Sequence, residues 1–206
     1  MRLTLHTFLT LDGVMQAPGG PNEDRDGQFE HGGWSFPYGD PDFGRAMTGW
    51  FANADAFLLG RRTYQIFSAH WPLVTDPEDP IASRLNSRPK FIASTTLGAV
   101  DWPGATLLDN DIVAEVADLK QQPGNELQVH GSGGLAQTLI EQDLIDEYRL
   151  LIFPVRLGSG KRLFREGARA AALRLTSTTT TSMGVIISTY QPAGSAQYGS
   201  YENSAS

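Results

Sequence analysis

The sequence contains no cysteine. That absence removes disulfides, thiolate nucleophiles and sulfur-ligated metal centres together, and it accords with a reducing cytoplasm, the expected location. Excess positive charge is lacking too: 16 Lys and Arg stand against 23 Asp and Glu, a formal net charge of -7. No general basic field exists to collect nucleic acid or an anionic membrane, so neither is an expected partner and any phosphate must be held by a local site. No apolar run approaches the roughly 20 residues that span a bilayer. Thr4, His6, Thr7 and Thr10 interrupt the opening MRLTLHTFLTLDG, so no secretory leader is expected. The four histidines, His6, His31, His70 and His130, are widely spaced and form no ligand pair, which argues against a metal site. No internal repeat is present.

What remains is ample apolar material: 40% of the 206 residues are hydrophobic, enough to bury a full core. Length favours one domain, taken as residues 1–191, with the small, polar segment 192–206 expected to be disordered. Residues 2–11 alternate and are β-branched, predicting a strand that ends at the turn pair Asp12-Gly13. Residues 14–38 hold eight glycines or prolines, seven of them before Phe36, and no period, the mark of a long functional or mobile loop. A helix is predicted over 42–54, a buried strand over DAFLLG, a helix from RRTYQIF, and a Pro-rich loop over 71–80. Strands follow at 90–94 and 105–109, then a helix on which Ile112, Val116 and Leu119 share a face and which Pro123-Gly124 closes. ELQVHG predicts a strand, 134–142 a short helix, DEYRLLIFPV a buried strand, and ALRLTSTTT with GVIISTY an antiparallel pair. The class is therefore α/β: a mixed, mainly parallel sheet with an antiparallel C-terminal hairpin and helices on both faces.

Three strand ends carry anion-binding chemistry. Gly60, Arg61, Arg62 and Thr63 open a helix after a strand, where a phosphate meets backbone N–H groups, a hydroxyl and guanidinium groups at once. An Arg-Arg pair is also commonly just solvated. Ser94, Thr95 and Thr96 follow the next strand, at the carboxyl end where open α/β sheets bind ligands. The third is HGSGGLAQTL, in which Gly131, Gly133 and Ala136 match the dinucleotide fingerprint G-x-G-x-x-G/A. A true fingerprint needs an acid at the end of the following strand for the ribose hydroxyls. Here that place holds Phe153, Pro154, Val155 and Arg156, so the Rossmann reading fails. The glycines still place backbone donors at a helix N-terminus, with Ser132 able to cap or donate, although Gly133 and Gly134 also serve a plain tight turn. LGSGKRLF is not a P-loop, because Val155 and Arg162 stand where glycine and Ser/Thr are required. His130 reads as a hydrogen-bonded side chain at a strand end.

The segments TLDGVM, LLGRRTYQIF, FIASTTL, VHGSGGLAQTLIEQDLIDEYRLLIFPVRLGSGKRLF and TSMGVIISTY resemble, in order and spacing, the dihydrofolate-reductase-like family typified by the C-terminal reductase domain of the bifunctional riboflavin-biosynthesis protein RibD. The resemblance spans about residues 2–191, and the 17–38 loop looks like that of stand-alone bacterial members. It implies a three-layer dihydrofolate-reductase-like fold that binds NADPH and transfers a hydride to an electrophilic carbon of a small substrate, in RibD a phosphoribosylamino-pyrimidine. Gly60, Arg61, Arg62 and Thr63 would hold the cofactor phosphates. Ser94 and Thr95, with one of the arginines and with Thr96 beside them, would read the 2′-phosphate, and Gly131, Ser132, Gly133, Gly134 and Leu135 would cover the pyrophosphate and nicotinamide side. A 2′-phosphate calls for arginine and hydroxyls in place of the missing acid, which favours NADPH over NADH.

The same resemblance makes Asp12 the candidate catalytic and substrate-side polar group, against its ordinary reading as a turn aspartate. Trp34 and Phe36, with Tyr38, would lie over a flat heterocycle, or else pin the long loop to the core. Two departures bear on the substrate. The resemblance leaves no room within these 206 residues for the zinc-binding deaminase half of RibD, which is therefore not expected, and none of Asp40, Asp42 and Asp55 stands clearly where a folate reductase keeps its proton-donating carboxylate, so no donor is assigned. A phosphate-tailed substrate would want basic residues opposite the cofactor, for which Lys161, Arg162 and Arg165 stand available, against their commoner reading as a solvated loop. The alternatives are a pterin or folate reductase and a non-catalytic nucleotide-binding protein of the same fold. The apolar run GVIISTY, read as a sheet edge, makes a homodimer the expected assembly.

Overall fold

Leucines alternate with threonine, histidine and phenylalanine through the N-terminal run, and it forms β1, Arg2–Thr10, buried on both faces as a central parallel strand must be. The structure, a computed structural model, describes residues 1–201. Seven further strands join β1: β2 (Ala54–Gly60), β3 (Lys90–Ala93), β4 (Ala105–Leu108), β5 (Glu126–His130), β6 (Glu147–Phe153), β7 (Leu173–Thr180) and β8 (Ile186–Pro192). They form one sheet in the order β4-β3-β2-β5-β1-β6-β8-β7. The first six run parallel, and β8 pairs antiparallel with both β6 and β7.

Among the described residues five α-helices cover the two faces: α1 (Pro41–Ala52), α2 (Arg61–His70), α3 (Pro80–Ser87), α4 (Ile112–Gln121) and α5 (Gly133–Glu141). Val116 and Leu119 of α4 and Ala136 and Leu139 of α5 pack on Leu3, Leu5, Leu127 and Val129. On the other face Phe51 of α1, Tyr64 of α2 and Leu85 of α3 pack on Phe57, Leu59, Ile92, Leu151 and Phe153. The result is the expected α/β, three-layer, dihydrofolate-reductase-like architecture.

Several boundaries differ from expectation, each for a local reason. The first helix starts at Pro41 because the Asp40 side chain accepts the Phe43 N–H and caps it, and Ala54, expected to end that helix, opens β2 instead. Helix α3 was not expected. Its signal was present in Asp79-Pro80, an N-cap followed by proline at the first turn, ahead of Ala82 and Leu85 on the buried side. The closing hairpin is real, but its order is the reverse of the one expected. The apolar β8 lies inside, with Ile187 and Ser188 buried, and the Thr-rich β7, exposed along its whole length, is the edge. Burial decides this, because threonines lose little in water while the isoleucines of β8 gain a partner on each side. Pairing also runs past residue 191, with Ala193 and Gly194 bonded to Ala172. Residues 202–206, part of the segment expected to be disordered, lie outside the described residues.

The long loop contains only short 3-10 turns at Asp26–Gln28 and Phe36–Tyr38, yet it is well anchored. Met15 N donates to the Lys161 carbonyl at 2.8 Å, Trp34 Nε1 to the Gln16 carbonyl at 2.8 Å, and Gly33 N to the Ala17 carbonyl at 2.8 Å.

Candidate functional site

Chain direction reverses in the sheet between β2 and β5. From β2 the chain leaves through α2 and α3 toward β3 on one side, and from β5 it leaves through α5 toward β6 on the other. Because those helices lie on opposite faces, a crevice opens at the carboxyl ends of the two strands, the place where open α/β sheets bind ligands. A cleft of about 490 Å³ sits there.

Sequence positions 34 to 72 residues apart meet in this cleft. It is lined by Gly60, Arg61, Arg62 and Thr63, by Ser94, Thr95 and Thr96, and by Ser132, Gly133, Gly134 and Leu135. Of the twelve positions marked for a cofactor, Gly131 alone is not at its surface; with φ 55° it makes the turn out of β5, a backbone shape that glycine adopts without strain. Ser132 fastens the two sides. Its Oγ accepts the Gly60 N–H at 2.9 Å, and its single proton has two acceptors, Thr63 Oγ1 at 2.9 Å and the His130 carbonyl at 3.0 Å. Ser132 is itself left-handed (φ 57°, ψ 54°), a costly conformation for a residue with a Cβ. Across the cleft the Ser94 Oγ accepts the N–H groups of Thr96 at 3.2 Å and Leu97 at 3.1 Å, folding the turn that exposes Thr95 and Thr96.

The helix termini at the cleft set its electrostatics. Asp40, Asp79 and Asp111 cap α1, α3 and α4 with their carboxylates. The two helices that begin in the cleft, α2 and α5, have no side-chain cap. Their first N–H groups and the positive ends of their dipoles are left for an anion. Arg61 adds a guanidinium that makes no hydrogen bond or ion pair with any described residue. The cleft also contains a carboxylate, Asp24, which pairs with Arg62 and with Lys161. Burial opposes its ionisation, but Lys161, the Asp26 amide and Arg62 outweigh that effect and hold its carboxyl below the usual range.

Sequence reasoning missed Asp24, because nothing in an aperiodic loop distinguishes one of its aspartates. Lys161, considered in the sequence as a basic residue for a phosphate-tailed substrate, lines this same cleft. Arg162 and Arg165 do not join it: Arg162 Nε donates to the Asp12 carbonyl at 2.9 Å, and Arg165 pairs with Glu141.

The remaining marked residues are not at the cleft surface. Asp12 faces the 157–158 turn. It accepts from Thr10 Oγ1 at 2.6 Å, from Gly158 N at 2.7 Å and from Leu157 N at 3.2 Å. The Thr10 hydroxyl, with the two amides, brings its pKa down to about 2 against the effect of burial, so it stays an anion and holds no proton to donate. Trp34 is 7% exposed and stands edge-on to Phe153 with centroids 5.3 Å apart, so it fixes the loop to the core. Tyr38 likewise packs on Phe153, while Phe36 is 85% exposed. The three aspartates considered as folate-type donors are engaged elsewhere: Asp40 by Phe43, Ser182 and Met183, Asp42 by Arg45 and Ser182, Asp55 by Asn125. His130 is buried beneath the cleft, stacked between His6 and Phe51 at 4.5 Å from each, with Nε2 3.1 Å from Gln128 Oε1. No group of His, Asp and Glu able to hold a metal ion occurs among the described residues.

A parallel sheet with a crevice at its point of reversal, completed by an antiparallel hairpin, defines the class: a dihydrofolate-reductase-like domain. Within that class the chain belongs to the RibD C-terminal domain family, whose model matches residues 2–187. It is 32% identical over 187 residues to the uncharacterized protein YyaP of Bacillus subtilis (strain 168), covering 90% of this chain and 92% of that protein. Its fold is similar to that of a Shewanella sp. PV-4 protein named for riboflavin biosynthesis, with TM-score 0.70 at 24% identity over 94% of this chain and 99% of the other. It is also similar to dihydrofolate reductase from Enterococcus faecalis, solved in complex with NADP(H), with TM-score 0.59 at 12% identity over 93% and 96% of the two chains.

Proposed function

We propose that the protein is an NADPH-dependent oxidoreductase that reduces a small heterocyclic substrate of the ribosylamino-pyrimidine kind, as 5-amino-6-(5-phosphoribosylamino)uracil reductases do. The observation that carries this reading is the pair of helix N-termini that meet in one cleft without caps, with the free Arg61 guanidinium beside them. These donors fit the phosphates of a dinucleotide. Arg61 and the Thr95 and Thr96 hydroxyls suit a 2′-phosphate, and among the described residues the one carboxylate lining the cleft, Asp24, is already engaged by cations and does not offer itself to a ribose.

When bound, the nicotinamide supplies the hydride. The chain supplies position: Gly60–Thr63 and Ser132–Leu135 fix the two sides of the cleft, and the Ser132 hydroxyl sets their separation. Asp12, an anion tied to the 157–158 turn, orders the segment that carries Lys161. A pterin-reducing reading lacks support, because Asp40, Asp42 and Asp55 are all held away from the cleft.

Titration with NADPH, read by quenching of tryptophan fluorescence and by thermal shift, tests the proposal. Saturable binding with weaker binding of NADH is the expected result, and no response to either nucleotide overturns it. We also place the enzyme in the cytoplasm; among the described residues no helix is long and apolar enough to cross a membrane. A homodimer belongs to the same proposal, now through β7, whose unpaired edge carries the exposed Leu173 and Leu175. Light scattering is expected to give twice the chain mass, and a monomer at assay concentrations removes this part.

A further inference from the structure

The long loop enters the cleft at a single side chain. Asp24 is 12% exposed there, while the cations it meets, Arg62 and Lys161, are 46% and 43% exposed. One carboxylate oxygen pairs with Arg62, and the other accepts from Lys161 Nζ at 2.9 Å. The turn behind it is strapped down. Asp26 N donates to Asp24 Oδ1 at 3.0 Å, and Gln16 Nε2 donates to the carbonyls of Asp24 at 3.2 Å and Asp26 at 2.9 Å. Gln16, itself buried, accepts Lys161 N at 3.0 Å, and Lys161 Nζ also reaches Asp26 at 2.7 Å. A carboxylate therefore rests on the guanidinium of the first turn of α2, the group that a phosphate at that helix terminus needs.

We infer that Asp24 is a tethered competitor for the cofactor phosphate, holding Arg62 and Lys161 until a phosphate displaces it, so that nucleotide binding and release of the 24–26 turn are one event. The inference rests on the NADPH reading above. Its physics is short: two anions cannot share one guanidinium at close range in a partly desolvated cleft without strong repulsion, and a tethered group competes at high effective concentration. Linkage makes the effect reciprocal, so whatever loosens Asp24 tightens the nucleotide. The turn also walls a second cavity of about 400 Å³, lined by Gln16, Asp26, Gln28, Phe29 and Lys161 among others, so its release alters that cavity as well.

The test compares the full-length protein with Asp24→Asn and with Asp24→Glu, which keeps the charge. NADPH and NADH affinities are read by fluorescence quenching, and hydrogen exchange of residues 17–30 is followed with and without NADPH. Asp24→Asn is expected to bind NADPH about tenfold more tightly, the scale of one removed like-charge contact, with Asp24→Glu near wild type. Exchange over 17–30 is expected to rise in the wild type when NADPH saturates it, toward the level that Asp24→Asn shows unliganded. A gain confined to NADPH assigns the competition to the 2′-phosphate, and an equal gain for NADH assigns it to the pyrophosphate. Equal or weaker NADPH binding by Asp24→Asn, or unchanged exchange in the saturated wild type, overturns the competition and leaves the cofactor reading standing. Failure of all three proteins to bind either nucleotide overturns the cofactor reading and the competition with it.

Discussion

Replacing His130 by phenylalanine should make the protein less sensitive to acid. His130 is sandwiched between His6 and Phe51, its ring 4.5 Å from each, and its Nε2 lies 3.1 Å from the Gln128 amide oxygen, which requires the donor tautomer. Burial, and then the charge of Arg149, lower its pKa from 6.5 to about 3, with Glu126 pulling weakly the other way. The folded protein thus keeps the imidazole neutral while the unfolded chain protonates it. Stability from this residue is complete above the unfolded value of 6.5 and is lost as pH falls from there toward the folded value of about 3. At pH 5 the unfolded state has already gained about 2 kcal/mol by binding that proton, and the ceiling, reached below both values, is about 5 kcal/mol. His6, buried alongside, is lowered in the same sense by burial, His130 and Arg149.

The phenylalanine keeps the stack but leaves Gln128 Oε1 without its donor, at a cost of about 1–3 kcal/mol at every pH. The variant should therefore start less stable at pH 7.5 and lose about 2 kcal/mol less than the wild type on going to pH 5. Urea unfolding at half-unit pH steps measures this, because Glu126, Asp12 and the other carboxylates titrate in both proteins and cancel in the difference. Parallel stability curves for the two proteins would refute the reasoning and mean that the folded state accepts the proton.

Arg61→Ala combined with Arg62→Ala should weaken NADPH by about 2–4 kcal/mol as charge-assisted contacts are lost, and weaken NADH much less; equal losses in a fluorescence titration would speak against 2′-phosphate recognition. Ser132→Ala removes the hydroxyl that accepts from Gly60 N and reaches Thr63 Oγ1, and leaves the Gly60 N–H without that acceptor. A loss of about 1–2 kcal/mol in denaturant unfolding with weaker NADPH binding is expected, and an unchanged affinity would show that the fastening does not shape the cleft. Asp12→Asn replaces an anion that accepts from Thr10, Leu157 and Gly158. It should cost about 1–2 kcal/mol at neutral pH, an effect that fades as the medium approaches the wild-type pKa of about 2. A stability equal to wild type at pH 7 would show that those bonds are replaced by water.

The strands and four of the five helices were legible in the chain because their signals are local: alternation for β1, the i, i+4, i+7 face of α4, and glycine or proline at the ends. Helix α3 carried its cap and proline in plain sight and was still missed, since its eight residues are too few for a clear period. The phosphate-type segments were legible for the same local reason, each being a strand end followed by hydroxyls, glycines or arginines. Asp24 was not, and neither were the places of Asp12 and Trp34, because their partners lie far along the chain: Leu157 and Gly158 for Asp12, Phe153 for Trp34, Arg62 and Lys161 for Asp24.

By itself the sequence determined the class of fold and the three segments that carry anion chemistry, because periodicity, capping and turn preference are energies between near neighbours. Only the tertiary structure decided that β2, β3 and β5 end at one crevice, that β8 lies inside β7, and that a loop carboxylate sits on Arg62. Those outcomes depend on which surfaces are buried together and which charges then face each other, and such energies exist only once residues distant in the chain have met.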